Sequence, residues 1–452
     1  MIDFLFVYEL KQRELESIVL VGNELKKRGY SVEYCHFPYE NLNKLRKKYY
    51  GKVRTILTHS MYDEKVLYNL VYRLAGPVKK IVNLQWEQIG TLKTEGDINS
   101  YRYPKGIAKK ILHICWGEKP KENLIRVGMQ EDKIAVTGPL QIDFLLPFFK
   151  GYYKDRNDLL TSYDLNPNLK TIFFISSFSY ASLSDKEILK LKKKVGEVIV
   201  EERYNLSVKS QDDFLRWVNI LLEKNSDLNF IYRPHPAEYN SMKLKNLIDK
   251  HANFKVIRDF SVKQWIGISD KVYTWKSTSI VESYFAKVPC AIVRPTPILR
   301  EDDVSIMVDA ENLDNYEDFA KSINENFDLP IKGEDIKHYY DVNETRPSYL
   351  RLAKLLETVY QTSSYDIEWD PKLIKKFQKK FNKEMWVAYA RNIYRGILSI
   401  LSAINYKTGI SFGENINKHI KRYRKIRAQI QLHTLDKEEL TEVENEIKKY
   451  MI

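Results

Sequence analysis

The chain has 452 residues, 31 of them tyrosine, and a formal net charge of +13. That length exceeds one ordinary core and predicts two domains with additions. The composition is that of a soluble globular protein, and no stretch approaches the roughly 18 uninterrupted apolar residues of a membrane span. The charge is local: fifteen Lys and Arg between 372 and 427 face only Glu384 and Glu414, a balance equal to the net charge of the whole chain. Such a segment predicts an anionic surface, whether phospholipid headgroups, a polyanionic substrate or nucleic acid. Cys35, Cys115 and Cys290 stand far apart in apolar contexts and read as reduced core residues of a cytoplasmic protein. Met1 to Glu9 lacks the basic region of a signal peptide.

Ile2 to Tyr8 is an apolar run of strand length. Leu10 to Arg28 carries helical periodicity and stops at Gly29, and Ser31 to His36 alternates like a second strand. Arg54 to His59 and Lys80 to Gln85 are further strands, with a helix over Glu64 to Leu74 between them. Strand signals recur at Ile111 to Trp116 and Lys133 to Val136. A stretch without strand signal follows from Phe144 to Asn168. The alternation resumes with strands at Lys170 to Ser176, Asn229 to Tyr232, Lys255 to Ile257, Lys271 to Thr274 and Pro289 to Arg294. Helices are expected over Ser184 to Tyr204, Asp212 to Lys224, Ser241 to His251, Lys263 to Ile268, Ser277 to Ala286, Tyr316 to Asn326 and Ser348 to Gln361. Alternating strands and helices predict parallel sheets covered on both faces. The expected division is 1–150, 151–362 and a helical, basic extension over 363–452.

Phe230-Ile-Tyr-Arg-Pro-His-Pro-Ala-Glu238 concentrates the chemistry. The prolines end the strand and fix the backbone, so Arg233 and His235 project from its carboxyl end, where open α/β sheets bind ligands. An arginine fork with a histidine beside it suits phosphate oxygens. Trp275-Lys-Ser-Thr-Ser-Ile-Val-Glu282 follows a strand and opens a helix. Ser277, Thr278 and Ser279 with the helix amides form a second anion site, and Glu282 can accept from a ribose diol. The first βα connection has no Gly-x-Gly-x-x-Gly but is charged, with Glu9, Arg13 and Glu14. Glu87, Glu95 and Asp97 follow the strand ending at Gln85. Glu301-Asp302-Asp303 reads as a solvated loop, and no Asp-x-Asp motif is placed to hold a metal. His59 and His113 read as core or strand-end residues, and Ser60 and Ser177 have no inferable His/Asp partners.

Glu9-x-Lys11-x-Arg13-Glu14, Trp116-Gly117, Thr137-Gly138-Pro139-x-x-x-Asp143, Tyr232-Arg-Pro-His-Pro-x-Glu238 and the Ser/Thr turn before Glu282 together resemble bacterial surface-carbohydrate biosynthesis proteins. These are GT-B-like enzymes of capsule and lipopolysaccharide assembly. The His-Pro element is similar to that of Kdo transferases, bacterial sialyltransferases and teichoic-acid polyol-phosphate transferases. The resemblance spans about residues 1–360. It implies a GT-B fold, two Rossmann-like domains facing a central cleft, with an N-terminal acceptor domain and a C-terminal donor domain. It implies a glycosyltransferase using a nucleotide sugar, CMP-linked by preference, with no further cofactor and no metal. His235 would contact the donor phosphate with Ser277, Thr278 and Ser279, and Glu282 the ribose. The acidic-acidic-glycine element of the sialyltransferases has its nearest match at Thr94-Glu95-Gly96. The base is thus one of Glu95, Asp97 and Glu87, with Glu95 favoured. Glu9, Arg13, Glu14 and Glu87 would line the acceptor side.

Three other functions use parts of this pattern: CDP-polyol phosphate transfer, sugar-nucleotide epimerisation, and anion or nucleic-acid binding through Lys418 to Arg427. The basic residues lie outside the βα domains and form no nucleic-acid module, so the expected partner of 372–427 is an anionic membrane surface at the inner face of the cell membrane. Trp386, Tyr389, Ile393, Tyr394, Ile397 and Leu398 recur at helical spacing there, beside Arg391 and Arg395. The alternative is that this stripe packs on the domains.

Overall fold

The computed structural model describes residues 1–238, 241–413, 416–421 and 436–452, with the side chains of 387–396 and 407 excepted. Two six-stranded sheets organise the chain. The first contains β1 (Ile2–Tyr8), β2 (Val32–His36), β3 (Val53–Thr58), β4 (Lys80–Asn83), β5 (Leu112–Cys115) and β6 (Ile134–Val136), in the order β2-β1-β3-β4-β5-β6. The second contains β7 (Lys170–Ile175), β8 (Leu228–Arg233), β9 (Phe254–Val256), β10 (Lys271–Thr274), β11 (Cys290–Val293) and β12 (Asn312–Leu313), in the order β12-β11-β10-β7-β8-β9. Every pairing is parallel.

Side-chain alternation along each central strand feeds two cores. Phe4, Phe6 and Tyr8 of β1 pack with Ile18 and Leu25 of α1 (Lys11–Lys27), while Leu5 and Val7 join Tyr68, Tyr72 and Phe377 on the opposite face. In the second sheet Ile172 and Phe174 meet Phe214 and Val218 of α2 (Glu197–Lys224), and Phe173 and Ile175 meet Trp265 and Ile280. The expected separate helices before Lys224 are a helix over Asp185–Val195, a break at Gly196, and this one continuous helix.

The expected helix over Glu64 to Leu74 is interrupted by a wide π-helical turn, Tyr68–Tyr72. Residues 348–361, placed with the second domain by sequence, pack on the first as α3 (Ser348–Gln361), because Leu352, Leu356 and Val359 complete the cluster around α1. The Asp143 carboxylate accepts from the Ser348 and Tyr349 amides at 3.0 and 2.7 Å, tying the α3 start to the segment that leaves the first domain. The extension continues as α4 (Pro371–Thr408), anchored by Phe377 and Phe381, and α5 (Lys437–Lys448), whose Ile447 reaches the α1 core. The basic run 422–427 and the side chains of Tyr389, Arg391, Ile393, Tyr394 and Arg395 lie outside the described residues. Among the described residues no helix is long and apolar enough to cross a membrane.

Candidate functional site

The strand order of the second sheet reverses between β7 and β10, which run parallel, so the connections there leave to opposite sides and open a crevice. Ser176 and Ser177 follow β7, Arg233 to Pro236 end β8, and Lys276 to Ser279 follow β10. All of them line a cleft of about 490 Å³, with Arg13, Trp86 and Glu87 of the first domain on its other wall. The topology thus brings the two sequence-predicted anion elements to one place, though about forty residues separate them in the chain.

The His235 loop is held from beneath. Glu238 is buried and accepts from the Tyr232 hydroxyl at 2.6 Å, the Ser176 hydroxyl at 2.5 Å, Gln211 at 3.0 Å and the His235 amide at 3.2 Å. The Ala237 amide donates to Nδ1 of His235 at 3.1 Å. Nδ1 therefore acts as an acceptor, and the neutral ring carries its proton on Nε2. Loss of water around the ring lowers its pKa from the usual value; Glu87 across the cleft opposes this, and Arg258 and Arg13 add to it. At neutral pH His235 is a hydrogen-bond donor at Nε2.

Arg233 donates to the carbonyls of Asp259 and Phe260, which fixes its plane, and it forms no ion pair among the described residues. Burial lowers its pKa to about 10; the Asp259 carboxylate offsets part of this, and Arg258 adds to it. The expected helix start at Ser277 falls later: the helix is Ile280–Ala286, and Ser277 to Ser279 form a turn before it. The amides of Ser277 and Ser279 donate to Thr274 Oγ1 and Ser277 Oγ within that turn, so they are not aimed at a ligand. Glu282 lines the cleft, Oε2 of its carboxylate has no hydrogen-bond partner among the described residues, and burial raises its pKa to about 7.

On the facing wall Arg13 bridges Glu14 and Glu87 at 2.7 Å each. Glu14 is fully buried and receives the Glu9 amide at 2.8 Å, so it positions Arg13 and lies behind the cleft wall. Glu87 is open to solvent. Glu95 is elsewhere: it is buried and accepts from the Gly90 amide at 2.6 Å, the Tyr339 hydroxyl at 2.8 Å and Asn123 at 3.4 Å. Asp97 is exposed, receives the Asn99 amide at 2.8 Å and does not line the cleft. The expected solvated loop Glu301-Asp302-Asp303 is structural too. Asp303 is buried against Arg294 at 2.6 Å, its carbonyl receives the Leu92 amide, and Ser305 donates to Gly90, which stitches the two domains together.

A second cavity, of about 330 Å³, adjoins the first. The first sheet has its own switch point between β1 and β3, and Glu9 follows one strand while His59 and Ser60 follow the other. Tyr62, Asn69 and Gln85 add to its polar lining, and Asn69 lies in the π-helical turn. Arg13, Trp86 and Glu87 line both cavities. His59, read from sequence as a strand-end core residue, is indeed buried, and burial lowers its pKa to about 3, so it is neutral; its Nδ1 lies 3.1 Å from Ser60 Oγ. Of its lining, Glu9, Arg13 and Glu87 were expected on the acceptor side; His59, Ser60, Tyr62 and Asn69 were not, because they come from separate short segments with no shared motif. His113 is a core residue, bonded to Asn83 and the Ala108 carbonyl.

Compared with protein-family models and with curated proteins, the chain matches none. Solved structures do share its architecture. The wall teichoic acid polymerase TagF superposes on 79% of this chain and 88% of its own, with 13% identity and a TM-score of 0.50. The UDP-GlcNAc 2-epimerases of Neisseria meningitidis and Methanocaldococcus jannaschii cover 80% and 79% of this chain and 100% of theirs, with 12% and 16% identity and TM-scores of 0.48. The fold is GT-B. Both Rossmann-like domains, their parallel sheets and the cleft between them follow that plan.

Proposed function

We propose that the protein is a glycosyltransferase, moving a sugar from a nucleotide donor to an acceptor hydroxyl, with the donor in the larger cavity and the acceptor in the smaller. The observation that carries this reading is the position of Glu87, the carboxylate that lines both cavities and whose charge acts on His235 across the cleft. Glu87 takes the proton of the acceptor hydroxyl as its oxygen attacks the anomeric carbon. The bond from that carbon to the donor phosphate breaks, and its electron pair leaves on the phosphate oxygen. His235 Nε2–H and the Arg233 guanidinium donate to the phosphate as its charge grows, and fixed donors at a developing charge lower the barrier. Ser277 to Ser279 add hydroxyls, and Glu282 accepts from the ribose.

The resemblance to surface-carbohydrate enzymes favours a cytidine-activated donor of Kdo or sialic type and a surface polysaccharide or glycolipid acceptor. An epimerase needs no acceptor, and the polar second cavity favours transfer. Polyol-phosphate transfer from a CDP-alcohol is a second reading with its own support. Arg13, Arg233, Lys263 and Lys276 outnumber Glu87 and Glu282 around the cleft, an excess that suits a diphosphate. The test is a melting-temperature panel of CMP, CDP, UDP and GDP, followed by product analysis with the stabilising nucleotide's sugars and polyols. Stabilisation by cytidine nucleotides and a glycoside product support the proposal. A phosphodiester product selects the second reading. A shift with UDP alone overturns the cytidine assignment.

A further inference from the structure

Helix α4 presents two unlike sides. Phe377 and Phe381 are buried against Tyr68 and Tyr72, in and beside the π-helical turn whose Asn69 lines the smaller cavity. On the other side Lys372, Lys375, Lys379 and Lys383 are exposed. Farther along stand Trp386, 80% exposed, Ile397, 51%, Ile400, 63%, and Ile404, 36%. Positions 386, 397 and 404 are separated by whole numbers of helical turns, and the four lysines fall in the same sector. Among the described side chains, this sector of the 38-residue helix is cationic and then apolar, with a tryptophan at the junction.

A soluble surface has no reason to hold large apolar side chains in water in a row, and a basic row continuing into an apolar one matches a single partner chemistry. We propose that this stripe docks on a bilayer containing anionic phospholipid. The lysines sit among the headgroups while Trp386 and the isoleucines enter the acyl boundary. The opposite face of the same helix packs on the π-helical turn whose Asn69 lines the smaller cavity, so docking sets that turn between the cavity and the lipid surface. This surface and its test are independent of the reaction proposed for the cleft.

The full chain is tested by flotation with vesicles of phosphatidylcholine alone and of phosphatidylcholine with phosphatidylglycerol. Binding to the anionic vesicles is expected to be at least about tenfold tighter, since each lysine near such a surface contributes about fivefold. Raising the salt from about 0.1 to about 1 M shortens the screening length about threefold and weakens this binding. Lys372→Glu, Lys375→Glu, Lys379→Glu and Lys383→Glu together abolish the preference, and Trp386→Ser with Ile404→Ser weakens what remains, with nucleotide-induced stabilisation unchanged. Equal binding to both vesicle types overturns the proposal, and that measurement needs no variant. Charge reversal without effect on vesicle binding also overturns it, as does concentration-dependent self-association that the Trp386→Ser, Ile404→Ser variant removes, which assigns the stripe to a second copy of the chain.

Discussion

Tyr339 donates a hydrogen bond to Glu95 at 2.8 Å, joining the helix Gly333–Tyr339 of the second domain to the interior of the first. With the Gly90 amide and Asn123 also donating to it, Glu95 is a fixed acceptor at the domain junction. Glu95→Gln replaces one acceptor oxygen by a donor facing other donors. The expected cost is about 1–3 kcal/mol of unfolding free energy, read by chemical denaturation. Turnover should stay within a few-fold of wild type, with the pH–rate profile unchanged in shape. A loss of several orders of magnitude in turnover with unchanged stability would return the base role to Glu95.

Glu87 predicts the reverse pattern. Its side chain is 61% exposed and its recorded ion pair is with Arg13, so little of the fold depends on it. Glu87→Gln keeps the shape and removes the proposed base. Turnover should fall about 10²–10⁴-fold, the usual contribution of general base catalysis. Nucleotide affinity by calorimetry and the melting temperature should change little. An unchanged turnover would remove the one carboxylate that, among the described residues, lines both cavities.

Local pattern carried far in the fold and less far in the site. Strands β1, β7, β8 and β10 were legible because each is a short apolar run with an abrupt polar end, and Arg233 and His235 were legible because prolines mark where β8 stops. Which carboxylate faces the cleft was not legible. Glu87, Glu95 and Asp97 lie within eleven residues, and their fates diverge through partners far away in sequence, Arg13 for the first and Tyr339 for the second. The same holds for Asp303, which sequence presents in an acidic loop and the fold buries on Arg294. The π-helical turn at Tyr68–Tyr72 has no local signature, so Asn69, which it turns into the smaller cavity beside Glu9, Arg13 and Glu87, was not legible.

His235 should be dispensable for folding and essential for transfer. Its amide is held by Glu238, and among the described residues its ring is engaged only by the neighbouring Ala237 amide, at Nδ1. His235→Ala removes one proposed donor to the leaving phosphate, and loss of one such donor costs about 10²–10³ in turnover. The melting temperature without ligand should be unchanged, and the stabilisation given by the nucleotide should shrink. Full activity in this variant would disprove the placement of the donor phosphate between Arg233 and His235.

Glu282 makes the cleft pH-sensitive in a direction that can be worked out. Burial raises its pKa to about 7, so in the free protein a sizeable fraction is protonated at neutral pH. In the proposed complex a ribose diol donates to the carboxylate, so bound nucleotide would favour the ionised form, and affinity should rise as pH climbs from about 6 to about 8. His235 acts oppositely: its lowered pKa means that it gains charge only on the acid side, where it strengthens phosphate binding. Calorimetry across pH should thus show an acid limb and a rise through neutrality, and Glu282→Gln should keep the first and lose the second. Stability without ligand follows the other sign. A carboxyl whose folded pKa lies above its unfolded value of 4.5 stabilises the fold at low pH, and that stability is lost as pH rises through about 7. Asp143, also pushed to about 7 by burial, adds to the same decline. The melting temperature should therefore fall between about pH 5 and pH 8 in the wild type and fall less in Glu282→Gln, over the range where nucleotide affinity is rising.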